Sequence, residues 1–399
     1  MSMPAETPYR IEPTRLETVP EVISDLVAEL AAATARLDRA LNPRTAASLA
    51  DLVRIMNTYY SNLIEGHNTR PRDIERAIRG DFAADRERRN LQVEALGHIR
   101  VQREIDKQAV AGTLSEPASS EYLRWLHREF YRDAAPEQLR IRGNGPPFAM
   151  TPGEWRSRPD HDVAVGRHVP PASAHVEEFM TYFESHYKLE PLGKSARILA
   201  IPTAHHRFNF IHPFPDGNGR VSRLMSHAMA HRAGIGAHGL WSISRGLARG
   251  LDSRVEYRRM MDLADSPREG DLDGRGNLSQ HALAEFVHWF LRICLDQVSF
   301  MSRLFDLDTL MQRLRTLVER SGTLKPESAR LLEEALLRGE VERGEMPRLT
   351  GLPERSARRV FNDVLEAGLL GSDTPKGPVS LRLPADTVDV LFPRLFPEA

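Results

Sequence analysis

A single cysteine, Cys294, stands among 399 residues. That scarcity excludes an intramolecular disulfide framework and a cysteine-rich zinc site, and it suits a reducing cytoplasm. No apolar run approaches the roughly 20 residues that a membrane-spanning helix needs. The first thirty residues are polar and spotted with proline, so neither a secretory signal nor membrane association is expected. Net charge is lacking too. The 54 Lys and Arg against 55 Asp and Glu leave −1, so no global field draws the chain to DNA or a lipid surface. Lysine is scarce beside arginine, whose guanidinium forks well onto phosphate oxygens. What is present is an ordinary globular balance, 41% hydrophobic and 27% charged, long enough for two or three domains.

Hydrophobic periodicity predicts a mainly α fold. Over 45–65, Leu49, Leu52, Val53, Met56, Tyr60, Leu63 and Ile64 recur at helical spacing, and Gly66 is a natural stop. Further helices are expected over 81–110, 119–132, 173–187, 195–211, 219–233, 249–265 and 278–304. Between 141 and 171, repeated Pro and Gly forbid a long helix, and 162–169 reads as one arm of a hairpin or flap. Near the end, helices over 328–338, 346–350 and 353–367 precede two short strands, the second over 379–383. Three small helices and a hairpin form the pattern of a winged helix-turn-helix. The expected organisation is an N-terminal helical region (1–112), a core (113–300) and the winged helix-turn-helix (301–399).

The most informative segment is His212-Pro213-Phe214-Pro215-Asp216-Gly217-Asn218-Gly219-Arg220, with Arg223 one turn later. It joins two predicted helices. Gly217 and Gly219 clear side chains from a place where a ligand can approach the backbone. The following helix presents free N–H groups and its positive dipole end, a ready anion site. Arg220 and Arg223 share one face there, and each opposes the macrodipole by about 0.3–1 kcal/mol. A polyanion at the site would offset that cost. Asp216 offers the hard oxygen that Mg²⁺ prefers beside phosphates, and His212 can take a proton near neutral pH. Together these residues point to transfer chemistry on a nucleotide phosphate. An EF-hand is excluded, because the alternating Asp/Asn and distant Glu do not follow Asp216.

This segment resembles the signature of the Fic (filamentation-induced-by-cAMP) family, H-P-F-x-D/E-G-N-G/K-R, at every position. Arg223 matches the second arginine of the longer form. The resemblance implies a Fic-type helical bundle with a small β-hairpin flap, and transfer of AMP from ATP to a hydroxyl of a target protein. It implies that His212 deprotonates the attacking Ser, Thr or Tyr and that Asp216 holds Mg²⁺. Gly217, Asn218 and Gly219 would line the anion hole, while Arg220 and Arg223 would grip phosphates. Phe214 would anchor the loop. The stretch 151–157 and Val163, Ala164, Val165 and Gly166 resemble the flap that registers the target segment. Tyr257 and Asp265 resemble the adenine contacts, although Arg258 stands where the family often has a second Tyr and Asp265 where it often has Asn.

Upstream, Ser61-Asn62-Leu63-Ile64-Glu65-Gly66 resembles the family's inhibitory pattern, S/T-x-x-x-E-G/N. The resemblance implies that Glu65 pairs with Arg223 and repels ATP, and in some relatives the same glutamate assists removal of AMP. Two other readings stay open: a winged-helix regulator with a vestigial core, and transfer of UMP, phosphate or phosphocholine instead of AMP. The expected partners are ATP and a protein substrate, including the chain itself, and a homodimer is compatible with the sequence. Arg355, Arg358 and Arg359 sit on the predicted recognition helix, yet residues 301–399 are close to charge balance. Packing, dimerisation or target docking is therefore favoured over DNA binding for that segment. His205 and His206 lack the i,i+4 spacing of a metal pair, and Cys294 reads as inert core.

Overall fold

The computed structural model describes residues 6–142, 146–164, 166 and 168–396. The described residues are mostly helical. In chain order the helices are α1 (Glu21–Asp38), α2 (Pro43–Ile64), α3 (Pro71–Ile78), α4 (Arg86–Ala111), α5 (Ser120–Phe130), α6 (Val176–Tyr187), α7 (Lys194–Ile211) and α8 (Asn218–Arg232). They continue with α9 (Ile243–Arg249), α10 (Glu256–Ala264), α11 (Gln280–Leu304), α12 (Leu307–Ser321), α13 (Ser328–Arg338), α14 (Met346–Thr350), α15 (Glu354–Glu366) and α16 (Ala385–Leu391). Two small antiparallel pairs complete the list: β1 (Arg140–Ile141) with β2 (Phe148–Ala149), and β3 (Leu370–Gly371) with β4 (Ser380–Leu381). No helix among the described residues is long and apolar enough to cross a membrane.

The chain divides into two compact units. Met1–Ala33, Asn57–Gly236 and Ser242–Gln297 form the first; Thr34–Met56, Ala237–Trp241 and Val298–Ala399 form the second. The N-terminal region expected to stand apart as 1–112 is thus shared between them. The core of the first unit gathers on α7 and α8, which pack along one another. Helix α7 is buried on nearly every side, and Phe179, Phe183, Phe208, Phe214, Phe286 and Phe290 are fully buried around it. Complete burial is the condition that places a helix at the centre rather than at the surface. In the second unit, α13, α14 and α15 precede the β3–β4 pair, whose register is Leu370↔Leu381, and a bridge joins Val341 to Val379.

Several elements differ from the sequence expectation. The helix expected over 81–110 is α4, which starts a turn later because Asp85 caps it by accepting from the Arg88 N–H. The helix expected over 249–265 starts only with α10 at Glu256, because the preceding α9 ends at Gly250, which has φ 68°. The carboxylate of Glu256 accepts from the N–H groups of Leu251, Asp252 and Ser253 at 2.8, 2.9 and 3.2 Å. No strand runs through the described residues of 162–169; the hairpin lies upstream, at β1–β2. Helices α1, α3, α9, α12 and α16 had no counterpart in the sequence reading.

Burial holds four histidines of the first unit in their neutral form. Desolvation pushes His98, His127 and His205 down to about 3 and His212 down to about 4. In the unfolded chain each takes a proton near the ordinary histidine value of about 6.5. Between that value and the folded one, the unfolded state binds more protons, so stability falls as pH falls. Each histidine removes up to about 1.4 kcal/mol per pH unit across that window. Urea midpoints should therefore drop steeply from pH 7 to pH 5, before carboxylates titrate. Equal midpoints at the two pH values would contradict neutral burial.

Candidate active site

The loop between α7 and α8 is held by groups far away in sequence. His212 ends α7 in the left-handed region, at φ 50° and ψ 59°. A non-glycine residue there is strained by roughly 1–2 kcal/mol and needs outside support. Arg156, 1% exposed, supplies it. Its guanidinium donates to the carbonyls of His212 (2.7 Å), Ile211 (3.1 Å) and Pro171 (2.9 Å), and to Ser173 Oγ and Asp162 Oδ1 at 3.2 Å each. The Arg156 N–H also donates to the carbonyl of Pro213 at 2.8 Å. Two carbonyls at the end of α7 are thereby satisfied by one planar fork.

Phe214 anchors the middle of the loop. Its ring stacks on His127 with centroids 3.9 Å apart and meets Trp155 at 4.4 Å. His127 accepts from the Gly153 N–H at Nδ1, so its Nε2–H donates to the Asp216 carbonyl at 3.1 Å. The Asn218 side chain closes the turn, accepting from the Phe214 N–H (2.9 Å) and donating to the Phe214 carbonyl (2.8 Å). Gly217 then opens α8 at φ 81°, a conformation that glycine adopts without strain.

The first turns of α8 concentrate charge. Arg220 pairs with Glu94 and donates to Asp216 Oδ2 at 3.0 Å. Tyr131 donates to the same oxygen at 2.9 Å. Arg223, 2% exposed, donates to Ser61 Oγ at 2.9 Å, to the Ser61 carbonyl at 3.2 Å and to Glu65 Oε1 at 2.6 Å. The Glu65 carboxylate lies so close over α8 that a Cβ on Gly219 would come within 2.5 Å of its Oε1. Burial works to raise the pKa of Glu65, Glu94 and Asp216, but the arginines beside them prevail and hold all three below the usual carboxylate range. Burial first, and then the Arg156 charge, hold His212 down to about 4, so at neutral pH its imidazole is free to accept a proton. A cleft of about 530 Å³ opens here, lined among others by Glu65, His67, Glu94, Tyr131, Asp216 and Arg220.

Tyr257 also comes close to Arg223, whose charge acts on its hydroxyl, but that hydroxyl is hydrogen-bonded to His205 Nε2 at 2.8 Å. The Asp265 carboxylate is engaged by His206 at 3.1 Å and His168 at 3.3 Å. Gly66 follows α2 at φ 85°. Val163 is half-buried, while Ala164 and Gly166 are exposed in irregular chain; Val165 lies outside the described residues.

Comparison with known proteins addresses the same segment. Residues 117–230 match the model of the Fic/DOC family. This segment is a Fic domain. It carries the whole constellation from His212 to Arg223. The chain is 31% identical over 182 residues to the protein adenylyltransferase Fic of Nematostella vectensis, a match spanning 44% of this chain and 37% of that protein. It is 38% identical over 82 residues to the protein of the same name from Aedes aegypti, spanning 21% of this chain and 16% of that one. The chain thus spans well under half the length of either curated relative. A crystal structure of a Fic family protein from Desulfovibrio desulfuricans G20 shares the fold, with a TM-score of 0.53 at 18% identity, over 93% of this chain and 99% of that one.

Sequence reading missed four residues that shape the Fic-domain loop: Glu94, His127, Tyr131 and Arg156. Glu94 and His127 lie on regular helices and carry no local mark. For Tyr131 and Arg156 the only signals were an aromatic at a helix end and an arginine in a Pro/Gly stretch. Arg156→Ala should lower stability by about 3 kcal/mol, because it leaves buried carbonyls unpaired at a strained cap. Chemical denaturation measures this, and a change below about 1 kcal/mol would contradict the assigned support.

Proposed function

We propose that this chain is a protein adenylyltransferase that moves AMP from ATP to a hydroxyl of a protein, and that Glu65 holds it at rest. The observation that carries the reading is the Glu65–Arg223 ion pair over Gly219, beside an intact His212, Asp216 and Arg220. The relatives named protein adenylyltransferase Fic support the activity.

In this reading the N–H groups of Gly217, Asn218 and Gly219, with Arg220 and Arg223, hold the phosphates of ATP. A Ser, Thr or Tyr hydroxyl approaches the α-phosphorus. His212 takes its proton, the new O–P bond forms, and the bond to the leaving pyrophosphate breaks. The half-exposed Asp216 carboxylate, kept ionised beside Arg220, fits Mg²⁺, which when bound neutralises phosphate charge. Tyr257 and Asp265 are assigned to the adenine side. Val163, Ala164, Val165 and Gly166 are assigned to the path of the target segment.

Glu65 occupies the place that an anionic phosphate needs on Arg223, so ATP binds badly or in a pose that His212 cannot use. The helices and hairpin of the second unit are read as a winged helix-turn-helix that packs or docks rather than reads DNA, given its charge balance. Glu65→Gly should raise ATP-dependent self-labelling at least tenfold, measured by intact mass, which also identifies the transferred group. His212→Ala on that background should abolish it. Equal labelling of the wild type and the Glu65 variant would sink the inhibitory reading. Undiminished labelling without His212 would sink the base assignment.

The neutral imidazole also fixes the pH profile. For Glu65→Gly, kcat/KM should stay nearly flat from pH 8 to pH 6 and fall only as His212 protonates near 4. An acid limb centred near the ordinary histidine value would contradict the shifted pKa.

A further inference from the structure

The face of α8 that carries Arg220 and Arg223 continues to a second buried polar group. His227 and His231 stand one and two turns beyond Arg223 at i,i+4 spacing, and Asp106 reaches them from α4. Asp106 Oδ1 lies 2.6 Å from His227 Nε2 and 3.0 Å from His231 Nε2, and the two nitrogens are 3.3 Å apart. The side chains of His227, Asp106 and His231 are only 5%, 6% and 7% exposed. Apolar side chains of similar size would pack two helices at less desolvation cost than a carboxylate and two imidazoles.

The donor set fits a cation. Two imidazole nitrogens at i,i+4 on one helix and a carboxylate oxygen from another form a common three-ligand set for Zn²⁺, with a fourth position for water. Tetrahedral bonds of about 2.0–2.1 Å separate ligand atoms by about 3.3 Å. The nitrogen pair already has that spacing, and the carboxylate needs less than about 1 Å of adjustment to reach it. An independent feature lies nearby. The Tyr122 hydroxyl is buried without a hydrogen-bond partner and lies within range of the Asp106 charge. A metal-bound water would give that hydroxyl a partner.

We propose that Asp106, His227 and His231 form a site for a zinc-class transition-metal ion that clamps α8 to α4. The ion replaces the two Asp106–imidazole hydrogen bonds: each histidine binds through the Nε2 lone pair of its neutral ring, with its one proton carried on Nδ1. The clamp fixes the helix whose opening turns carry Arg220 and Arg223. It does not depend on which group the Fic domain transfers.

The test uses the full chain, stripped with a chelator and titrated with Zn²⁺ against a chromophoric competitor, with thermal unfolding followed in parallel. One equivalent should bind per chain and raise Tm by several degrees. His231→Gln and Asp106→Asn should each weaken binding more than about tenfold and remove the Tm shift. His281→Ala, which removes an exposed His–Glu pair, should leave both unchanged. Co²⁺ should give the intense visible bands of a four-coordinate site in the wild type, a readout that stands even if a substitution at the cluster prevents folding. No saturable binding by the wild type, weak six-coordinate Co²⁺ bands, or full binding by both cluster variants would overturn the proposal and leave a hydrogen-bonded trio without metal.

Discussion

Two arginines at the start of a helix press against its positive end, and the surroundings of α8 are arranged to answer that charge. Arg220 is met by Glu94 and Asp216, and Arg223 by Glu65. All of these groups are at least partly withdrawn from water, where an unpaired charge costs several kcal/mol. The carboxylates are therefore conditions for the arginines to sit where they do. They also define what can replace them. An anion that exchanges with Glu65 must bring negative charge to Arg223 and fit over Gly219, where no side chain intervenes. A phosphate group meets both conditions, and the proposed function rests on that exchange.

The remainder of the first unit makes that exchange local. Helix α7, buried almost all round, delivers the chain to His212 in a conformation that does not persist by itself. Arg156 fixes the carbonyls, Phe214 is gripped between His127 and Trp155, and the Asn218 side chain closes the turn. The contacts arrive from α5, from the 155–156 stretch and from Asn218 at the start of α8, and none of them passes through Glu65. Preorganisation of this kind is what positions a base without reorganisation during the reaction. The Asp106–His227–His231 group extends the same logic along α8, tying its later turns to α4.

Much of this was legible in the sequence, for physical reasons that differ by element. The contiguous run His212–Arg220 declared itself, because a glycine turn and a helix start are local events and the run matches the family signature; the left-handed cap at His212 is seen only in the structure. Helix α2 was legible by its apolar stripe, and Glu65 by the resemblance of Ser61–Gly66 to the family's inhibitory pattern. The hairpin was misplaced because the Pro- and Gly-rich stretch from 141 to 171 has no period; only the pairing Arg140↔Ala149 sets its register. The late start of α10 was hidden because the Glu256 carboxylate that gathers the N–H groups of 251–253 is visible only in three dimensions. Glu94 and Arg156 were invisible because nothing local distinguishes a buried charged partner from a solvated one. His227 and His231 did carry a signal, their i,i+4 spacing, but Asp106 lies more than a hundred residues away and completes the group only in the fold.

The central claim is that Glu65 and the terminal phosphate of the nucleotide compete for Arg223. Calorimetric titration of Mg²⁺·ATP and Mg²⁺·ADP into His212→Ala, with and without Glu65→Gly, tests it without turnover. Removing Glu65 should tighten ATP binding about tenfold or more and ADP binding much less, since ADP lacks the group that takes the vacated position. Equal tightening of both nucleotides, or of neither, would contradict the account.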